Sequence, residues 1–461
     1  MSAHRLPVPL SALSGVAWPA VPDAGRAQLV SLVQQLEHSQ WWPPELIARH
    51  QLRQLSRLVD HAYRTVPFYA ARLAAAGYRP GQEITEPFWR SLPILGRGEV
   101  QDAGPALEAS EIPAGHGEIA RDSTSGSTGM PVRIAKTRLS YLMWLAVTLR
   151  DELWQKRDFR LKLGIIRRDA DNRAFPPNGL RLANWGPPVG AVFPSGPAAM
   201  IDLRSTIEEQ AAWVLRERPD YLYSFPSIIK ELARWFRSTG TKPPPLRRVR
   251  TFGEMVGPDV RALCREVFGV GVSDVYSAVD AGYLGTQCPD HEHHHVPAET
   301  IHLEVLDEAG RPCGPGESGK VVVTPLHNFA MPLLRYDIGD IAEVGPPCSC
   351  GRGLPVLARI LGKSRDVVVL PSGEHRFAFM GIKGIADFPA LQQIQVVQKT
   401  VHDLEVRLVT RGPFGAENEA RLAAVLREAL GAHFAIAYTY HRDIPRSSAG
   451  KYFDFLSEVR G

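Results

Sequence analysis

The chain has 461 residues, 44% of them hydrophobic and 22% charged, with a formal net charge of +4. That length supports more than one core, and the balance excludes wholesale disorder. So small a charge, with no long basic block, leaves no footprint for nucleic-acid binding.

Five cysteines, at 264, 288, 313, 348 and 350, are an odd number. They do not make a secreted disulfide framework and fit a reducing cytosol. The stretch from Met1 to Ala24 is broken by Pro7, Pro9, Pro19 and Pro22, which makes a poor signal peptide. No later stretch has the uninterrupted apolar length of a membrane span. The expectation is a cytoplasmic protein with no membrane partner.

From Arg26 to Ala75 the apolar spacing (Leu29, Leu32, Val33, Leu36, then Leu52, Leu55, Leu58) predicts helix, interrupted at Pro67. Gly117–Ala120 reads as a strand entering the hydroxyl- and glycine-rich loop Ser123-Thr124-Ser125-Gly126-Ser127-Thr128-Gly129. Met130–Ile134 alternates like a strand, and Leu139, Leu142, Met143, Ala146, Leu149 and Leu153 share one helical face. Helices over 207–216, 227–238 and 258–268 then alternate with strands over 221–223, 249–252 and 274–276. This alternation predicts an α/β sheet covered on both faces. Lys242-Pro243-Pro244-Pro245 reads as a surface connector, and no internal repeat is visible.

After residue 300 the texture changes. Strands over 301–306, 319–324 and 341–344, separated by Gly/Pro turns, predict a β-rich subdomain over about 301–361. The tail from Asp366 reads as a small α+β unit. It has strands over 404–409 and 435–440 around a helix over 417–430 that Gly431 stops.

The loop at 123–129 can wrap phosphate oxygens, because glycine lets backbone N–H groups turn inward and Ser/Thr add donors. A P-loop would need lysine after its last glycine, whereas Met130 follows Gly129. Near the chain end, Pro445-Arg446-Ser447-Ser448-Ala449-Gly450-Lys451 presents one lysine on a turn of small residues. Read singly, the loop is as often a linker, Lys451 a solvated surface lysine and Asp340 a turn residue.

Their order changes those weights. The 123–129 loop, Gly253-Glu254, Tyr276 to Asp280, Arg335-Tyr336-Asp337-Ile338-Gly339-Asp340, the segment from Gly362 to Asp366, and Lys451 follow one another as in the adenylate-forming ligases. The chain resembles that superfamily, and the stretch from His61 to Tyr69 is similar to its phenylacetate–CoA ligase group. The resemblance implies a large multi-sheet N-terminal α/β domain over 1–365. A small mobile α+β lid over 366–461 would turn about Asp366.

It implies that the 123–129 loop holds the β- and γ-phosphates of ATP, while Gly253, Glu254, Tyr276, Ser277 and Lys363 line the nucleotide site. Asp340 would take the ribose hydroxyls, and Lys451 would reach between the substrate carboxylate and the α-phosphate. Asp280 would help hold Mg²⁺ where the family has glutamate, and Lys363 stands where the family has arginine. Tyr221, Phe225, Pro226, Phe252, Tyr276 and Ala278 are expected to wall the acid pocket.

A second constellation is independent of the first. Cys288, the run His291-Glu292-His293-His294-His295, and Cys348-Ser349-Cys350 offer three thiols and an imidazole, a set that suits closed tetrahedral Zn²⁺. The resemblance selects Cys288, His295, Cys348 and Cys350 for a structural zinc site, although spacing leaves His293 and His294 open. His291-Glu292-x-x-His295 also spells a zinc-protease pattern. Pro289 and Pro297 bracket it too tightly for the helix that chemistry requires. Cys264 and Cys313 read as structural or incidental.

The implied activity is ATP-dependent activation of an aromatic or arylacetic acid, through acyl-AMP, to a CoA thioester. The alternatives are transfer to the phosphopantetheine of an acyl carrier protein or to an amine, and a silent binding protein of the same fold. The sequence leaves the oligomeric state open, a dimer included.

Overall fold

The computed structural model describes residues 7–123, 132–363, 367–372, 375–377, 388, 390–430, 432–446 and 452–459. Helices α1 (Ala24–Ser39), α2 (Pro44–Thr65) and α3 (Pro67–Ala75) open the chain. The predicted interruption at Pro67 is present, and a second falls at Pro43 and Pro44. Proline lacks an N–H and suits the first turn, so each of these prolines starts a helix rather than running through one.

Helices α4 (Glu86–Ser91) and α5 (Arg97–Ala103) follow. Strands β1 (Ile119–Ser123) and β2 (Arg133–Thr137) pair antiparallel and lead into α6 (Arg138–Trp154).

The chain then runs through β3 (Leu163–Arg167), β4 (Leu180–Leu182), α7 (Val189–Val192), β5 (Ala198–Asp202), α8 (Ile207–Glu217), β6 (Tyr221–Ser224), α9 (Pro226–Thr239), β7 (Arg248–Phe252) and α10 (Pro258–Phe268). After these come β8 (Val272–Ala278), β9 (Gly282–Gln287), β10 (His294–His295), β11 (Ile301–Leu306), β12 (Ser318–Pro325), β13 (Tyr336–Val344) and β14 (Val356–Lys363). Proline opens α9 and α10, and Gly240 (φ +67°) and Gly269 (φ +69°) close them in the left-handed conformation.

All the strands from β3 to β14 join one 12-stranded sheet in the order β11-β12-β13-β14-β10-β9-β8-β7-β6-β3-β5-β4. Strands β5, β3, β6, β7 and β8 run parallel. The predicted β-rich subdomain over 301–361 is therefore not a separate sheet. The β8–β9 hairpin reverses direction and lets β10 carry the pairing across to β14.

One face of the parallel part packs Leu222 and Val249 against α8, α9 and α10 through Trp213, Ile229, Leu232 and Leu263. The other face packs under α1 and α6. The N-terminal helices cover the antiparallel part through Leu55, Leu58, Val59 and Trp89. Each such fully buried apolar side chain contributes roughly 1.5–3 kcal/mol.

A buried charge network crosses the parallel strands under α6. Glu152 pairs with Arg157 (2.7 Å) and Arg250 (2.9 Å), and Asp151 pairs with Arg250 (2.7 Å). The Tyr223 hydroxyl donates to Glu152 at 2.7 Å. Burial pushes the Glu152 carboxyl upward, but Arg157 and Arg250 bring it below its usual range. Truncating Glu152 leaves two guanidinium groups desolvated without their partner. Glu152→Ala is therefore expected to lower stability by about 3–5 kcal/mol, read from the denaturant midpoint of the N-terminal unit. A loss below about 1 kcal/mol would show that the network contributes no more than a surface pair.

The C-terminal part is a smaller unit. It contains the pair β15 (Val367–Val369) and β16 (His375–Phe377), then β17 (Leu391–Gln398), β18 (Asp403–Thr410), α11 (Gly415–Leu430), β19 (Ala435–Tyr440) and β20 (Phe455–Ser457). The order β19-β18-β17-β20 buries Val396, Leu404, Val406 and Leu408 against Leu422, Leu426 and Leu430 of α11. Among the described residues, no helix is long and apolar enough to cross a membrane.

Candidate active site and metal cluster

The carboxyl ends of parallel strands are where open α/β sheets place their ligands. Here Ser224 lies beside Thr251, and Phe252 beside Val275. Gly253 follows with φ +78°, a conformation that glycine adopts without strain, and turns the chain out of the sheet.

Next to this edge, three of the sequence-selected residues meet. The Tyr276 hydroxyl donates to Asp340 Oδ2 at 2.7 Å, and Lys363 Nζ pairs with Asp340 Oδ1 at 2.6 Å. Lys363 also donates to the carbonyl of Ile338 at 3.1 Å. Strand pairing sets this up, since Asp340 and Lys363 are direct partners across β13 and β14. Burial pushes the Tyr276 phenol well above its usual range, and the Asp340 charge adds to the shift. The phenol is therefore held as a donor to the carboxylate.

Asp280 is buried just beyond β8 and faces Tyr336, whose phenol is raised by burial and again by the Asp280 charge, with Arg97 opposing. The sequence reading assigned no role to Tyr336 or Arg97. The period of two along β13 puts Tyr336 on the face of Asp340, and that pattern was the available signal. Arg335 turns elsewhere: it binds Glu304 at 3.0 Å and occupies the left-handed region at φ +50°. The motif from Arg335 to Asp340 thus divides into a structural residue and residues of the site.

Phe225 and Phe252 meet in a tilted arrangement with ring centroids 5.0 Å apart, Pro226 is buried at the start of α9, and Ala278 and Ser277 end β8 half-buried. Tyr221 does not join them. It begins β6, at the opposite end of the strand, packed against Trp185, and its hydroxyl accepts the N–H of Asp158 at 3.0 Å. Its placement on the pocket wall is corrected by strand direction.

Glu254 is occupied: Oε2 accepts the N–H of Ser227 (3.0 Å) and Oε1 accepts the N–H of Tyr452 (2.7 Å). It thus caps α9 and touches the C-terminal unit. Ser123, expected in the loop, is the last residue of β1 and pairs with Arg133. Thr124, Ser125, Gly126, Ser127, Thr128 and Gly129, together with Asp366 and Lys451, lie outside the described residues.

The metal constellation converges from separate turns. Cys288 follows β9, His295 ends β10, and Cys348 and Cys350 sit between β13 and β14. The ligand atoms of these four residues lie within 4.8 Å of one another. Cys288 Sγ is 3.8 Å from Cys348 Sγ, and His295 Nε2 is 3.4 Å from Cys350 Sγ.

The strand geometry of β10 separates the histidines. His295 turns to the thiols, while His294, on the opposite face, meets Asp274 at 3.2 Å. His293 borders the cluster 3.1 Å from Cys348 Sγ, and His291 meets Ser349. The end of the run is a strand, so the two histidines of the protease pattern do not share a helix face.

Burial pushes the Cys288 thiol up to about 12 and the His295 imidazole down to about 3. Without a metal the cluster therefore keeps protonated Cys288 and neutral His295. A metal would have to displace thiol protons, which makes its affinity depend on pH.

The C-terminal segment 381–456 matches the CapK C-terminal domain. A phenylacetate-coenzyme A ligase from Thermus thermophilus is 26% identical over 341 residues, covering 71% of this chain and 73% of that protein. A phenylacetate-coenzyme A ligase from Pseudomonas putida is 23% identical over 365 residues, covering 77% and 76%. Among solved structures, a 2-hydroxyisobutyryl-CoA ligase in the postadenylation state in complex with R3-HIB-AMP superposes with a TM-score of 0.69 at 17% identity. That match covers 88% of this chain and 89% of the other. The chain has the fold of the adenylate-forming CoA ligases and is, in sequence, phenylacetate–CoA ligase-like.

Proposed function

We propose that this protein is an ATP-dependent acid–thiol ligase that converts an aromatic or arylacetic acid to its CoA thioester. In the first step a carboxylate oxygen attacks the α-phosphorus of ATP. The bond to the bridging oxygen breaks, pyrophosphate leaves, and acyl-AMP forms. In the second step the CoA thiolate attacks the acyl carbon and AMP leaves.

The observation that carries this reading is the meeting of Tyr276, Asp340 and Lys363, from three motifs far apart in sequence, beside the carboxyl edge of the sheet. The named relatives support the reaction class.

In this reading Asp340 takes the ribose hydroxyls, and the loop from Ser123 to Gly129 takes the β- and γ-phosphates. Gly253, with no Cβ, lets the adenine approach the backbone, and Phe225, Pro226, Phe252 and Ala278 border the acid. Asp280 would hold Mg²⁺, which neutralises charge on the phosphates when bound. Cys288, His295, Cys348 and Cys350 fit Zn²⁺ as three thiolates and one imidazole, a set that closes a structural site and leaves no position open for catalysis. The division at Asp366 and the turning of the C-terminal unit about it belong to the same proposal, as does a cytoplasmic location, in keeping with five free thiols.

The test is ATP–pyrophosphate exchange with a panel of carboxylic acids, followed by addition of CoA. Exchange with arylacetic or aromatic acids and a CoA thioester product are expected. Failure of every acid to support exchange would overturn the reading.

A further inference from the structure

The C-terminal unit meets the body where its last stretch crosses the start of α9, and among the described residues Arg446 makes several of the contacts there. Arg446 donates through Nη1 to Ser227 Oγ at 2.6 Å and through Nη2 pairs with Glu231 at 3.2 Å. Its Nη1 lies 3.6 Å from Glu254, and the guanidinium sits 5.6 Å from the centroid of the Tyr452 ring. Glu254 also accepts the N–H of Tyr452, while Arg234 of α9 donates to the carbonyl of Gln392 at 3.1 Å.

Two carboxylates of the body, Glu231 and Glu254, receive this cation beside Lys230 and Arg234 of α9. Burial raises the Glu231 carboxyl, and the neighbouring Glu254 charge raises it further, with Arg446 opposing both. Glu231 and Glu254 both belong to the body, so without Arg446 these two neighbouring carboxylates would lose the cation that the C-terminal unit supplies to them.

The position of this joint gives it a consequence for chemistry. Glu254 follows Gly253 at the carboxyl edge of β7, next to the strand that carries Tyr276. Tyr452, the residue next in sequence to Lys451, is pinned there by its backbone N–H. The docked arrangement therefore borders the nucleotide side of the site, whereas a thiol arriving from solvent needs access to the same acyl carbon.

We infer that Arg446 is a positioning residue: it latches the C-terminal unit onto Ser227, Glu231 and Glu254 in the arrangement that serves the ATP-consuming half-reaction. The inference rests on the ligase reading above. The latch adds a requirement that one half-reaction has and the other lacks.

The experiment compares wild type with Arg446→Met, with Arg446→Lys as the conservative variant and thermal melting as the check on folding. Pyrophosphate exchange with phenylacetate is expected to fall about 10- to 100-fold in Arg446→Met and to recover in part in Arg446→Lys. Thioester formation from synthetic phenylacetyl-adenylate and CoA is expected to stay within about threefold of wild type. Backbone hydrogen exchange of the segments 226–239 and 452–459 is expected to quicken in Arg446→Met, because their mutual cover is lost.

Equal loss in both half-reactions would reduce Arg446 to a structural residue, and unchanged hydrogen exchange would remove the latch; either result overturns the inference. If wild-type protein exchanges pyrophosphate with no acid at all, the ligase reading falls, and the hydrogen-exchange comparison still decides the latch by itself.

Discussion

Lys451→Ala is expected to lower ATP–pyrophosphate exchange by about 10²- to 10³-fold, the usual cost of losing one preorganised group at a site of developing charge. The physical reason is that adenylation brings two anions together, a carboxylate and a triphosphate. In the proposed ligase reading Lys451, a compact ammonium that follows a run of small residues in the sequence, stands between them. The described neighbour Tyr452 is held at the body by Glu254, so the end of the chain returns to the cleft.

The fold is expected to survive, because the substitution removes a charged side chain and no apolar one. Thermal melting within about 2 °C of wild type would show that the loss is chemical. Thioester formation from preformed acyl-adenylate provides the contrast and is expected to persist, since that step leaves the triphosphate behind. Full pyrophosphate exchange in the variant would refute the role.

Removal of zinc from the proposed Cys/His site should be the second large effect. Three thiols and an imidazole within 4.8 Å form a cluster whose members come from the ends of β9 and β10 and from the β13–β14 connection. Zinc-loaded protein is expected to carry about one ion per chain, and Cys348→Ser to carry none. At a free zinc concentration a thousand times the dissociation constant, binding stabilises the folded state by about 4 kcal/mol. Chelation or the serine variant should therefore lower the melting temperature by roughly 5 °C.

Acid should release the metal as well, because thiolate ligands take up protons as pH falls and the free Cys288 thiol binds its proton tightly. Metal analysis and melting curves across pH 5 to 8 measure both effects. A protein that melts identically with and without chelator would remove the structural role from this cluster.

Much of this architecture was legible in the chain. Helix α10 was read with its observed bounds, because Pro258 and Gly269 mark both ends, and strands β7 and β11 were read within one residue. Strands β3 and β5 escaped the reading. Gly164 interrupts β3, where a Cβ would meet Pro219 at 2.8 Å, and β5 begins with two alanines buried on both faces, so neither shows the alternation of a half-exposed strand.

The joining of residues 301–361 to the main sheet was also hidden. It depends on two-residue β10, which has no signal of its own at that length. In the site, Tyr276, Asp340 and Lys363 were legible through motif order. Tyr221 was misplaced because the pattern of a strand says nothing about which of its ends borders the site. The Arg446 latch was invisible, since it joins Arg446 to Glu231, more than two hundred positions away in the chain.

The β13–β14 hairpin carries Asp340 and Lys363 at one end and Cys348 and Cys350 at the other. Two irregularities in its pairing, between Ile341 and Ala342 and between Glu343 and Val344, make the alignment of the two strands a matter of choice rather than of simple repetition. Gly353, pressed against the Trp42 carbonyl, and Arg352, stacked on Trp41 and Trp154, hold the connecting loop from outside. A slip of one residue would carry the Asp340 side chain to the opposite face of the sheet. An ion clasping the far bend would act like a paperclip on two sliding sheets of paper, and its departure would be felt as a misaligned carboxylate at the distant end, before any part of the protein came apart.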